Sequence, residues 1–120
     1  MKWLTYEEVT AAAKKSKKAA TACSKKHWLQ LSTATADELR CSPRYPLSPA
    51  FCALCMYHGG PGGGACKPCS LYCEGRGRAC CYEYSAAFDA YYDWKEKTGT
   101  FAAWKKAAKA MYQRICKIKD

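Results

Sequence analysis

A chain of 120 residues sets one domain as the expectation, and it carries 10 cysteines, 16 aromatic residues and a formal charge of +10. No hydrophobic run approaches the roughly 18 residues that cross a bilayer, which excludes a membrane-spanning segment. A single valine and two isoleucines exclude a large sheet, because strands favour β-branched residues.

Two further consequences of composition bear on fold and partner. Leu, Ile, Val and Phe together number 13, against 20 alanines. A core this thin in aliphatic residues needs its aromatics and a covalent or metal staple. The positive charge is also unevenly placed. Residues 1–30 and residues 91–120 each carry an excess of +5, while residues 31–90 carry five charges of each sign.

The start, MKWLTYEEVTAAAKKSKK, lacks the apolar run of a signal peptide and reads as a cytoplasmic N-terminus. Thr5-Tyr6-Glu7-Glu8 fits a capping box. It predicts one long helix from Tyr6 to about Leu31, with Tyr6, Val9, Ala13, Ala20, Cys23, His27 and Leu31 along its apolar stripe. Lys14, Lys18 and Lys25 fall on the opposite side, and Lys15, Lys17 and Lys26 on its flanks. Cys23 and His27, four apart, can be read as a ligand pair; the simpler reading is a buried thiol and a core histidine. Thr35-Ala36-Asp37-Glu38 offers a second capping box and a short helical turn to Cys41, which has no assigned role. The following SPRYPLSP, with prolines at 43, 46 and 49, breaks regular structure and reads as an extended connector.

The cysteine-rich middle carries the chain's most specific signal. Cys52-Ala-Leu-Cys55 and Cys66-Lys-Pro-Cys69 form C-x2-C-x10-C-x2-C. Two residues between thiolates let both sulfurs of a knuckle reach one ion, and two knuckles supply the four tetrahedral ligands of structural zinc. Glycines at 59, 60, 62, 63 and 64 let the chain turn back between them. Cys73, Cys80, Cys81 or His58 can replace one of the four ligands. Three rival readings remain. An even cysteine count permits a disulfide framework, although a cytoplasmic chain keeps its thiols reduced. The dense run Cys66, Cys69 and Cys73 permits an iron–sulfur cluster, without the full ferredoxin spacing. Cys66-Lys-Pro-Cys69 looks like a thioredoxin-type redox motif, but no β-branched strand precedes it.

Beyond the cysteines, Ser85 is the expected cap of a helix over Ala86–Lys97, with Phe88, Tyr91, Tyr92 and Lys95 on one side and Gly99 as the stop. A last helix runs from Phe101 to about Ile118. Phe101, Trp104, Ala108, Met111, Ile115 and Ile118 form its apolar face, and Lys105, Lys106, Lys109 and Lys117 the other. Cys116 is expected in the core. The whole reads as one mainly α domain: helical residues 1–41, a proline-rich connector and zinc-knuckle region over 42–84, and a helical hairpin over 85–120.

His27-Trp28 at the end of the first helix, Cys52-Ala-Leu-Cys55, Cys66-x-x-Cys69, Cys80 or Cys81 followed by tyrosines, and the Ala/Trp-rich last helix together give an order of features. That order resembles a group of small cysteine-rich proteins encoded by bacteriophages and prophages. The likeness touches most of the chain, with the C-A-L-C segment its distinctive part; Ser70 stands where members often have proline. The resemblance implies a viral accessory protein acting in the host cytoplasm and carries no chemistry with it.

Signals for catalysis are poor. Neither histidine is followed by the glutamate of a zinc deaminase, GGPGGG lacks the GK[ST] of a phosphate loop, and four thiolates close a zinc site to substrate. The expectation is a non-enzyme with no small-molecule substrate. Two functions stand. In the first, the lysine faces (Lys14, Lys18, Lys25, Lys105, Lys106, Lys109), with Arg76 and Arg78, contact the phosphates of a nucleic acid. Tyr57, Tyr72 or Tyr82 stack on bases. In the second, a zinc-stapled scaffold presents exposed aromatics to a host enzyme or defence protein.

Overall fold

The computed structural model describes residues 2–41 and 82–118. Among these residues there are five helices and no strand: α1 (Tyr6–Lys15), α2 (Lys17–Thr33), α3 (Ala36–Arg40), α4 (Tyr82–Lys95) and α5 (Phe101–Cys116). The mainly α expectation therefore holds for the described residues. The connector and knuckle region over 42–81 lies outside them.

Both capping boxes form. Thr5 Oγ1 accepts from the Glu8 N–H at 3.2 Å, and Glu8 Oε1 accepts from the Thr5 N–H at 3.2 Å. Thr35 and Glu38 make the same exchange at 3.1 and 3.0 Å. The Thr35 N–H holds the Glu38 carboxyl below its ordinary range.

The long first helix does not form as one piece. α1 ends at Lys15, and Ser16 takes extended backbone (φ −174°, ψ 164°) and caps α2, its Oγ accepting from the Ala19 N–H at 3.0 Å. The local sequence Lys14-Lys15-Ser16-Lys17-Lys18 explains the break. A continuous helix would stack Lys14 on Lys17 and Lys18, and Lys15 on Lys18, where like charges repel. Serine offers the backbone an alternative partner at that point. After the break α1 packs back on α2. The segment before α1 is clamped by one amide: Gln30 Oε1 accepts from the Leu4 N–H at 3.2 Å, and Gln30 Nε2 donates to the Lys2 carbonyl at 2.6 Å.

α5 is the centre of the packing, with α2 on one side and α4 on another. Its apolar stripe is as the spacing predicts: Trp104, Ala108, Met111 and Ile115 are all buried. Trp104 is fully enclosed. Its ring stands 5.4 Å from Tyr91 and 6.5 Å from Trp28, and Trp28 in turn meets Tyr84 at 6.2 Å. Ala20, Ala87 and Ala108, each fully buried, let the helices close around these rings. Aromatic rings between small residues thus replace the missing aliphatic volume. One polar atom is left over: the Trp104 Nε1 is buried with no hydrogen-bond partner among the described residues.

α4 differs from its expected bounds at both ends. It begins at Tyr82, so Ser85 lies inside the helix rather than capping it. The packing of Tyr84 on Trp28 draws that extra turn into the helix. It ends at Lys95, and the chain reverses through a tight turn in which the Thr98 and Gly99 N–H groups both donate to the Asp93 carbonyl, at 2.8 and 3.0 Å. Lys97 takes the left-handed position (φ 64°). Gly99 is needed for a different reason: a Cβ there would stand 2.8 Å from the Asp93 Cβ. Thr100 then caps α5, accepting from the Ala103 N–H at 3.1 Å.

The core face of α4 is also rotated from expectation. Ala87 and Tyr91 are buried, while Phe88 and Tyr92 are 40 % and 37 % exposed. These two rings pack on each other at 4.8 Å and continue the row from Tyr84, which lies 6.4 Å from Phe88.

Candidate nucleic-acid interface

The lysines singled out in the sequence divide into two sets. Lys14 lies in the last turn of α1, and Lys18 and Lys25 on α2; all three are exposed. The break at Ser16 puts Lys14 on a different helix from the other two, so they do not form one continuous face. Lys105, Lys106 and Lys109 are brought together. They line an open groove of about 640 Å³ between α2 and α5, together with Leu29, Ser32, Thr33 and Tyr112.

Each helix contributes a distinct chemistry to the groove. α5 supplies the charge. Among the described residues none of its three lysines pairs with a carboxylate, and no acid lines the groove. The Lys105 ammonium stands 6.0 Å from the centre of the Phe101 ring, a weak cation–π contact that leaves its charge uncancelled. Lys105 and Lys109, four apart, are a repelling pair that an anion would relieve. α2 supplies an apolar wall through Leu29, 42 % exposed. Its hydroxyls are already engaged: Ser32 Oγ and Thr33 Oγ1 donate to the Leu29 carbonyl at 3.0 and 2.7 Å. While those bonds are made, each oxygen can still accept from a further donor.

Tyr112 completes the groove with an aromatic ring. Its interaction with the Cys116 thiol, one turn on, raises its hydroxyl above the ordinary phenol range, further from the phenolate that would repel a phosphate.

A purely structural role accounts for part of this arrangement. The last turn of α2 carries no basic residue of its own, and cations favour the negative end of a helix. Lysines from α5 can serve that end. That role needs one ammonium, and the groove has three.

The remaining sequence candidates fare differently. Cys52, Cys55, Cys66, Cys69, Cys73, Cys80, Cys81, His58, Arg76 and Arg78 lie outside the described residues, as do Tyr57, Tyr72 and the side chain of Tyr82. His27 is buried and Cys23 half-buried, in keeping with a core reading of the pair. Among the described residues no group of three or more metal-ligating side chains gathers. Cys116 is exposed, not in the core; its neighbour Ile115 takes the buried position. Cys41 is exposed as well.

Sequence reasoning missed Leu29, Ser32, Thr33 and Tyr112. Leu29 gave the one available signal, as a large apolar residue standing off the stripe of α2. No protein-family model matches this chain, and neither a curated protein nor a solved structure is significantly similar to it.

Proposed function

We propose that this protein is a small, basic, non-catalytic accessory protein that binds nucleic acid through lysine-rich helix faces. The groove between α2 and α5 is the principal contact. The observation that carries this reading is the set of three ammoniums that have no carboxylate partner among the described residues, around one groove that also holds an aromatic ring. Phosphate contacts of this kind release counterions, so affinity falls steeply with salt. The exposed Lys14, Lys18 and Lys25 extend the positive surface.

In this reading the middle of the chain is a zinc staple, held by Cys52, Cys55, Cys66 and Cys69, that compensates for the thin core. Four thiolates make the site structural, because no position stays open for substrate. The resemblance to phage and prophage proteins supports a viral accessory role in the host cytoplasm.

The test is a gel shift at low and high salt with labelled DNA and RNA. Binding that weakens at high salt, and weakens again when Lys105, Lys106 and Lys109 are changed to glutamine, supports the reading; no binding at low salt ends it. Metal analysis after reducing purification tests the staple, with about one zinc per chain expected.

A second reading is favoured by the exposed Phe88–Tyr92 pair, which stands on α4 beside Asp89. Aromatics on a carboxylate-bearing face suit a protein partner better than a polyanion. If nucleic acid does not bind while Phe88→Ala/Tyr92→Ala abolishes capture of a defined host protein, the chain is a protein-interaction module.

A further inference from the structure

We propose that the groove between α2 and α5 seats a nucleotide of a single strand, its base against Tyr112 and Leu29 and its flanking phosphates at Lys105, Lys106 and Lys109. This rests on the nucleic-acid reading above and adds which form of nucleic acid the protein takes.

The shape of the groove comes first. Its volume of about 640 Å³ is room for a nucleotide, and the groove is open along one side, as a strand passing through it requires. A duplex keeps its bases stacked and paired, so it can offer such a concavity only its phosphates. An unpaired nucleotide can fill it.

The distribution of chemistry comes second. Leu29, the Tyr112 ring and the aliphatic stems of the lysines make a surface for a base, while the lysine heads reach water and phosphate. A site for phosphate alone has no use for an exposed leucine at its wall. Stacking on an aromatic ring is tolerant of sequence, because every base has a π-face.

The hydroxyls come third. Ser32 and Thr33 donate to the Leu29 carbonyl, and each oxygen keeps a lone pair for a further donor. Every base carries N–H groups on its pairing edge from which such an oxygen can accept. Those edges are free only in a single strand. The groove therefore has a phosphate side, on α5, and a base side, where Tyr112 meets α2.

Fluorescence anisotropy tests this with a labelled single strand of mixed sequence and the duplex made from it, at several salt concentrations. The wild-type chain should bind the single strand more tightly than the duplex. Tyr112→Leu should weaken single-strand binding about tenfold, within the range of one lost stacking contact, and leave duplex binding within about twofold. Tyr112→Phe keeps the ring and should bind as wild type, which separates stacking from any effect on folding. The triple change of Lys105, Lys106 and Lys109 to glutamine should reduce the slope of log affinity against log salt by about 2 for the single strand. Equal affinity for both forms, or a Tyr112→Leu variant that binds the single strand unchanged, would overturn the assignment while leaving nucleic-acid binding intact. No binding to either form would overturn both.

Discussion

Trp104→Phe separates two opposing contributions of the same buried ring. The indole is fully enclosed and packs on Tyr91 and Trp28, yet its Nε1–H has no partner among the described residues. Replacing it with phenylalanine removes roughly 40 Å³ of side chain, and at about 24 cal/mol per Å³ the cavity costs about 1 kcal/mol. Lost burial of the smaller ring adds roughly 0.5–1 kcal/mol. Against this, the substitution removes a buried donor whose desolvation costs about 1–3 kcal/mol when nothing accepts from it. The two nearly cancel, so Trp104→Phe should fall within about 1 kcal/mol of wild type. Trp104→Ala keeps neither ring nor volume and should lose about 3–5 kcal/mol. Urea unfolding followed by far-UV circular dichroism measures all three proteins. A loss above about 2 kcal/mol for Trp104→Phe would show that the indole N–H is satisfied and that the balance of terms is wrong.

The turn between α4 and α5 predicts two changes of opposite sign. Gly99→Ala places a Cβ against Asp93 in a turn pinned by two hydrogen bonds and should destabilise by about 1–3 kcal/mol, whereas Lys97→Gly relieves a left-handed lysine and should stabilise by up to about 1 kcal/mol. Denaturant midpoints decide both. Ser16→Ala removes the cap of α2 and should cost about 1 kcal/mol, while Ser16→Asp, which keeps the cap and adds a favourable charge at the helix start, should match or exceed wild type in thermal melting. The Glu38 carboxyl is held below its ordinary range by the Thr35 N–H, so its contribution is complete at neutral pH and is lost as acid titrates it through its folded value; Glu38→Gln should flatten that part of the stability–pH profile.

How far the sequence carried depended on whether an element's signal was local. The α5 stripe was legible because Trp104, Ala108, Met111 and Ile115 recur at helical spacing and the same residues face the core. The capping boxes were legible because their whole geometry lies within four residues. The break at Ser16 was easily overlooked because the apolar stripe keeps its phase from Ala13 to Ala20, although the turn between them puts only Ser16 and Lys17 on that face. In α4 every turn offers an aromatic residue, so periodicity alone could not choose between Phe88 and Ala87 as the buried position. The candidate site was half legible. Its lysines stand close together in sequence, but their meeting with Leu29, Ser32 and Thr33 depends on how α2 lies along α5, which no local pattern encodes.

The break at Ser16 also makes the first helix a separable part. Ten residues are too few to hold a helix alone in water, so α1 is helical only while it rests on α2. Its fully buried anchor is Val9, with Ala13 beside it, a small hold compared with the ring cluster around Trp104. The N-terminal arm therefore has its own, lower free energy of opening, and its amide protons should exchange with solvent well before those of α5. Opening it must also break the Gln30 clamp and draw Leu4 and Trp3 off the core, so the fifteen residues ahead of Ser16 should open as one unit rather than fray from the end.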